Sequence, residues 1–134
     1  MIDAYAAGLI DGEGSIQLDK GSRFRYPVVS MASTTYELLS FMKENYGGSI
    51  SSKKLYKENH KESWSWCVTH DRAIDTLARV VVYLREPTKK RKAELILAEY
   101  KLLTPRNGKY TEEAARLKLD FENRFRGIKA FDGS

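Results

Sequence analysis

Cysteine, histidine and long apolar runs are scarce in this chain of 134 residues. The single cysteine, Cys67, excludes an internal disulfide and fits a reducing compartment. The two histidines, His60 and His70, lack the partners that a zinc site needs. No apolar run approaches membrane-spanning length, the N-terminus lacks the layout of a signal peptide, and there is no Gly-Lys-Ser/Thr phosphate loop. We therefore expect a cytoplasmic, nucleoid-associated or organellar protein that is not secreted.

What the chain does contain is typical of a folded domain with a polyanionic partner. Hydrophobic residues make up 42% of the sequence and aromatic residues 11%, which suffices for one core. The formal net charge of +5 suits a polyanion, although charge alone is a weak indicator. We expect residues 1–126 to form a single domain, followed by a tail over residues 127–134.

Hydrophobic periodicity and turn residues divide the chain into helices and strands. The predicted strands are 15–18, 26–32, 49–56 and 63–69. Helices are predicted to begin near Asp3, Thr35, Asp71, Thr88 and Thr111. The order α-β-β-α-β-β-α-α, with a further helix at the C-terminal end, predicts an α+β fold. In it, one four-stranded antiparallel sheet is covered by helices on one face.

Strand 63–69 alternates clearly between two kinds of residue. Trp64, Trp66 and Val68 point to one face, where they should be buried against helices. The residues between them are small and polar. The other face of the sheet should therefore be open to a wide partner.

The first predicted helix has a face with almost no side-chain bulk. Ala4, Ala7, Gly8 and Asp11 follow one another at helical spacing, and Asp3 is placed to cap the start of the helix. A face of this kind allows another backbone to approach closely, and glycine in a helix is costly without such packing.

The end of this helix carries a carboxylate between two glycines. Gly12 and Gly14 are predicted to end the helix through a left-handed turn. Glu13, between them, faces the negative end of the helix dipole, which is unfavourable unless a cation joins it. The pattern is a first indication of a metal.

The segment Ala6–Gly14 resembles the LAGLIDADG motif of the homing endonucleases. It differs by Ala6 for the leading Leu, Gly12 for Ala and Glu13 for the second Asp, and it occurs once. The predicted order of elements extends the resemblance over roughly residues 3–103. It implies the saddle-shaped sheet of that family.

The resemblance also implies an activity and its partners. Family members hydrolyse both strands of a long, nearly palindromic DNA site with Mg²⁺ or another hard divalent cation. Their active sites straddle two motif helices, so one motif implies a homodimer whose interface contains Ala4, Ala7, Gly8 and Asp11.

The motif match assigns candidate catalytic residues. Glu13 corresponds to the family's catalytic acid and metal ligand, with the carbonyl oxygen of Gly12 beside it. Lys89 corresponds to the lysine that organises solvent around the scissile phosphate. A further polar residue, commonly Gln or Asn, is expected after the second strand. Ser33 is the nearest candidate, although it could simply be a helix cap.

DNA contacts are expected from the open sheet face and from the basic run beside Lys89. A two-stranded ribbon fits the major groove. Arg25 and Tyr26 have opposite parity, so both can face DNA only if a loop or bulge intervenes. The candidates are Gln17, Asp19, Arg23, Arg25, Tyr26, Ser30, Ser51, Lys53, Ser63, Ser65, Lys90 and Arg91.

Two alternatives remain open at this point. The first is an intron-encoded maturase that binds intron RNA and assists splicing. The second is a catalytically silent DNA-binding protein on the same fold. The presence of an acid at position 13 and a lysine at position 89 argues against the silent protein, while nothing in the sequence separates endonuclease from maturase.

Overall fold

The structure is a computed structural model that describes residues 1–53 and 62–129. The helices are α1 (Ile2–Glu13), α2 (Tyr36–Tyr46), α3 (His70–Val80), α4 (Pro87–Leu95) and α5 (Glu112–Arg126). The strands are β1 (Gly14–Asp19), β2 (Tyr26–Ser33), β3 (Ser49–Lys53) and β4 (Ser63–Thr69). A 3-10 turn (Val81–Tyr83) follows α3, and a π-helical turn (Ile96–Tyr100) follows α4.

The four strands form one antiparallel sheet in the order β1-β2-β4-β3. The predicted α+β architecture is therefore confirmed, and β4 has the predicted bounds. Strand β3 is described over Ser49–Lys53, and the last residues of the predicted third strand, 54–56, lie outside the described part of the chain.

The core lies between one sheet face and the helices. Trp66 is fully buried, and its indole N–H donates to the carbonyl oxygen of Gly47 at 2.8 Å. On α3, buried Ala73, Leu77 and Val80 recur at helical spacing, which explains why that segment is helical. The other fully buried side chains of the core include Ile10, Ile16, Val29, Met31, Leu39, Met42 and Phe121.

Helix α1 buries part of the small-residue face that the sequence analysis assigned to a dimer interface. Ala6, Ala7 and Ile10 are each 0% exposed and pack into the core. The prediction that Ala7 lies in a dimer interface is therefore wrong, because its side chain is already enclosed within one chain. Ala4 and Gly8 remain exposed.

The start of α1 is held in another way than predicted. Met1 occupies the cap position without a side-chain hydrogen bond, so the prediction that Asp3 caps α1 is wrong. The Asp3 carboxylate instead accepts from the Tyr46 hydroxyl at 2.6 Å and pairs with Arg79 at 2.8 Å. The Tyr46 hydrogen bond is the main reason why the pKa of Asp3 is lowered. Asp3 thereby joins α1 to α2 and α3.

The junction between α1 and β1 needs glycine because of close packing. Gly14 has a φ of −93°, so the predicted left-handed turn is wrong. A Cβ atom at Gly14 would lie 2.8 Å from the Cα of Ile10, a distance that real contacts do not allow. The strand therefore starts immediately after Glu13, tight against the helix.

The C-terminal helix begins as the sequence predicts. Thr111 is the N-cap of α5, and its hydroxyl accepts from the backbone N–H of Ala114 at 3.1 Å. Within the described ranges, no helix is both long and apolar enough to cross a membrane.

Candidate active site and nucleic-acid interface

The candidate catalytic acid, Glu13, is the last residue of α1 and is exposed. Gly12 precedes it on the same exposed helix end. In the part of the chain that the structure describes, no hydrogen bond or ion pair engages the Glu13 carboxylate. Its oxygens are therefore open to a ligand from outside the chain.

Lys89 is held at the same end of α1 from the side of α4. Its ammonium group donates to the carbonyl oxygens of Ile10 at 2.9 Å and Asp11 at 2.7 Å. A cation at the last carbonyls of a helix is favoured by the helix dipole. The structure thus brings Lys89 to the helix end that carries Gly12 and Glu13.

Asp11 connects α1 to the start of α4. Its carboxylate accepts from the backbone N–H groups of Arg85 at 2.9 Å and Glu86 at 3.1 Å. The carboxylate of Asp11 therefore fixes the backbone that leads into α4, while the carbonyl oxygen of the same residue accepts from Lys89.

Glu86 is a contributor that sequence analysis missed. It is the N-cap of α4, and its carboxylate accepts from the backbone N–H of Lys89 at 2.7 Å, so the prediction of Thr88 as this cap is wrong. That hydrogen bond is the main reason why the pKa of Glu86 is lowered. An acidic residue directly before Pro87 at the first helical position is a signal that could have identified the cap.

Ser33 is the last residue of β2. Gly14 pairs with Met31, so β2 continues past the α1–β1 junction and places Ser33 at the sheet end nearest Glu13. Its hydroxyl accepts from the backbone N–H of Thr35 at 3.0 Å, and Thr35 rather than Ser33 is the cap position of α2. Ser33 is thus a turn residue at the correct end of the sheet.

The sheet face opposite the core is lined by small polar groups, as predicted. The hydroxyls of Ser15 and Ser30 lie 2.8 Å apart across β1 and β2. Several of the predicted DNA contacts are exposed: Gln17, Asp19, Arg23 and Ser51. Others are half-buried: Tyr26, Ser30, Ser63 and Ser65.

Arg25 is the exception among these candidates. It lies just before β2, and its guanidinium donates to the carbonyl oxygen of Leu18 at 3.1 Å and lies 4.0 Å from Glu122 of α5. Its side chain is thus turned toward α5, and a contact of Arg25 with DNA stays a prediction. Tyr26 keeps the parity of the open face and stacks on His70, with ring centroids 4.4 Å apart.

The remaining basic candidates lie on the edge strand β3 and on helix α4. Lys53 ends β3 opposite Ser63, and its side chain is outside what the structure describes. Lys90 lies in a groove beside Val82. Arg91 is exposed and donates to the carbonyl oxygen of Lys129 at 3.3 Å.

The outward face of α1 remains open after the fold has formed. A Cβ atom added at Gly8 or Gly12 would meet nothing within 4 Å. Neither glycine is therefore required by packing within this chain. Glycine is retained at two helical positions where alanine would fit, which is consistent with the close approach of another molecule.

The sequence matches no family model and no curated protein. Comparison with solved structures gives a different result. The homing endonuclease I-CvuI, in complex with its target, superimposes with a TM-score of 0.71 at 19% identity, covering 98% of this chain and 83% of that one. The chain has the LAGLIDADG homing endonuclease fold.

Two further structures with this fold are covered by this chain to different extents. The archaeal intron-encoded homing endonuclease I-Vdi141I, complexed with DNA, has a TM-score of 0.60 at 18% identity, with 98% of this chain and 86% of that chain covered. The meganuclease I-SmaMI, bound to uncleavable DNA, has a TM-score of 0.68 at 14% identity. There the match covers 95% of this chain but 45% of that chain.

Proposed function

We propose that this protein is a site-specific DNA endonuclease that acts as a homodimer with a divalent cation. One observation supports the proposal. Glu13, whose carboxylate has no hydrogen bond or ion pair among the described residues, is the last residue of α1 and directly precedes β1. The ammonium group of Lys89 donates to a carbonyl oxygen at the same helix end. In metal-assisted phosphodiester hydrolysis, a carboxylate holds the metal ion, and a nearby ammonium group adds to the stabilisation of charge on the phosphate.

The donor set at this helix end suits a hard cation that keeps most of its water. One carboxylate, Glu13, and the carbonyl oxygen of Gly12 are available in each chain. Within residues 1–53 and 62–129, no three His, Cys, Asp or Glu side chains are grouped to hold a metal ion. Mg²⁺ is commonly bound by one or two carboxylates, with waters and substrate phosphates completing its shell. When bound, it would supply an activated water and stabilise charge on the phosphate.

Lys89 supplies the second element of the proposed site. An ammonium group has three N–H donors, and two of them are used by the carbonyl oxygens of Ile10 and Asp11. The third is left for a water or a phosphate oxygen. We assign Lys89 to orient that group, while Asp11 and Glu86 fix the position of Lys89.

The outward face of α1 supports the proposed homodimer. Gly8 and Gly12 leave room for a second backbone, and exposed Ala4 adds little bulk. The match covers 45% of I-SmaMI, which leaves room in that structure for a second unit of this fold. In such a dimer the sheets of two chains would extend over a long DNA site with approximate twofold symmetry.

Cleavage of DNA that carries the sequence flanking the protein's own gene tests the activity. A supercoiled plasmid containing the two flanks joined directly should become linear in the presence of Mg²⁺ and stay supercoiled in EDTA. A plasmid that stays intact across Mg²⁺, Mn²⁺ and Ca²⁺ would overturn the nuclease proposal.

Glu13→Gln separates chemistry from binding. The amide keeps the size of the side chain but removes its charge, so cleavage should fall to background while the flank-joined duplex still binds. Glu44→Gln, at an exposed carboxylate on α2, is the matched control and should cut normally. Full cleavage by Glu13→Gln would remove Glu13 from the active site.

A further inference from the structure

Helix α5 contacts the turn that joins β1 to β2, far from the proposed active site. Glu122 is 7% exposed, and its carboxylate accepts from the backbone N–H of Arg25 at 3.0 Å. Its other oxygen lies 4.0 Å from the Nε atom of Arg25. A buried carboxylate satisfied by a backbone N–H fixes that backbone in place, because losing the acceptor would leave a buried donor unpaired.

The segment that leads into α5 holds the same turn through aromatic contacts. The rings of Phe24 and Tyr110 lie with centroids 4.3 Å apart. The guanidinium of Arg23 lies 5.0 Å from the Phe24 ring and 5.4 Å from the Tyr110 ring. The β1–β2 turn is therefore contacted at two points, by Tyr110 just before α5 and by Glu122 within α5.

Helix α5 is also attached to the segment that follows α4. The Arg124 guanidinium forms two hydrogen bonds with the Glu99 carboxylate, of 2.6 and 2.7 Å. The buried ammonium of Lys118 donates to the hydroxyl of Thr104. Phe121 is buried in the core. The helix thus connects the segment after α4 to the β1–β2 turn.

The position of this turn determines what it would meet on DNA. Strand β1 starts at Gly14, beside Glu13, and ends at Asp19, where it pairs with Tyr26. Five steps of ~3.3 Å place Asp19 about 17 Å from the strand's start. At about 3.4 Å per base pair, that is roughly five base pairs outward along a duplex.

We propose that Tyr110 and Glu122 are positioning residues that set the β1–β2 turn against the outer base pairs of the target. The inference rests on the proposed endonuclease function. Exposed Arg23 would contact the DNA from this turn, and its guanidinium is oriented by the rings of Phe24 and Tyr110. Neither Tyr110 nor Glu122 needs to touch DNA for this role.

A cleavage profile across the whole site tests the proposal. The wild type first selects its site from a pool of random duplexes in Mg²⁺. Each position of that site is then changed to the other three base pairs, and relative cleavage rates are measured. For Tyr110→Ala and Glu122→Leu, discrimination at the outer positions should fall by about tenfold, the scale of one base contact. Discrimination at the central positions should stay within about twofold of wild type.

Two control variants separate positioning from a general loss of stability. Arg124→Met removes the attachment of α5 to Glu99 but leaves both contacts to the turn, so it should keep the wild-type profile. Glu122→Gln keeps an oxygen that accepts from the N–H of Arg25, so it should restore most of the outer discrimination. An unchanged profile in Glu122→Leu, or an equal loss at every position, would overturn the proposal.

Amide hydrogen exchange on the free protein provides a readout that needs no DNA. Backbone amides of residues 19–26 should exchange about tenfold faster in Glu122→Leu, and those of β4 should not change. If the wild type selects no duplex but exchange responds in this way, the endonuclease function fails and the attachment of the turn stands. If exchange at the turn is unchanged, the inference fails whatever the wild type cleaves.

Discussion

The ammonium group of Lys89 donates a hydrogen bond of 2.7 Å to the carbonyl oxygen of Asp11. The carboxylate of Asp11 in turn accepts from the backbone N–H groups of Arg85 and Glu86, just before α4. Hydrogen bonds therefore run in both directions between the end of α1 and the start of α4. Asp11 thus fixes the position of Lys89 together with Ile10 and Glu86, within one chain and before any partner arrives.

Asp11→Asn should destabilise the isolated chain. The amide offers one oxygen in place of two, so one of the two backbone N–H groups loses its acceptor. We expect the free energy of unfolding to fall by about 0.5–1.5 kcal/mol, the net contribution of one hydrogen bond that is exposed or only partly buried. Urea denaturation measures it, with Asp75→Asn on the exposed side of α3 as the control. Wild-type stability in Asp11→Asn would show that the two hydrogen bonds do not support the fold.

Gly14→Ala should be more harmful than Gly12→Ala. The added methyl at position 14 would lie 2.8 Å from the backbone of Ile10, so α1 and β1 must move apart. We expect a loss of about 1–3 kcal/mol in the free energy of unfolding from this overpacking. At Gly12 a methyl meets nothing within 4 Å, and alanine favours the helix by about 0.5–1 kcal/mol. Urea denaturation at a concentration where the protein is monomeric compares the two, and equal effects would contradict the role given to Gly14.

Gly8→Leu should prevent dimer formation without unfolding the chain. A side chain at this position projects into open space in one chain but would occupy the room proposed for a second backbone. Light scattering should show a dimer for the wild type and a monomer for the variant, with unchanged circular dichroism. Lys43→Leu, on the exposed side of α2, controls for added surface hydrophobicity. A wild-type protein that stays monomeric with and without DNA would defeat the dimer proposal.

Protein stability should rise between pH 8 and pH 9.5. Burial lowers the pKa of Lys118 to about 8, against 10.5 for the ordinary side chain. Between these values the unfolded chain binds more protons than the folded one, so raising the pH favours folding. The increase should be about 1–2 kcal/mol, since one pKa unit corresponds to about 1.4 kcal/mol. Urea denaturation across this range measures it, and Lys118→Met should remove the increase.

The sequence predicted the structure best where a single hydrophobic periodicity determined the secondary structure and its buried face. Strand β4 alternates strictly, and its bounds and buried face were predictable from Trp64 and Trp66. The helical face of α1 was less predictable, because small residues surround the helix and only packing shows which of them are enclosed. Ala7 illustrates this, since it is as small as Ala4 but fully buried.

The candidate site was predictable only through the resemblance of the motif, and its supporting contacts were not predictable at all. Glu86 and Lys89 are three residues apart, but Asp11 is more than seventy residues away from both in the sequence. Contacts over such a distance depend on how α4 docks against α1. Arg25 shows the same limit, because its turn toward Glu122 is imposed by α5.

Glu13 is the last residue of α1 and Gly14 is the first of β1, so no linker separates the proposed catalytic residue from the strand proposed to contact DNA. Because side chains alternate along a strand, one residue inserted at this joint would turn Ser15, Gln17 and Asp19 into the core and expose Ile16 and Leu18. We therefore expect an insertion or deletion at this joint to disrupt the core. If β1 contacts DNA as proposed, new preferences in this strand would arise by substitution, in a register set by the proposed catalytic residue Glu13.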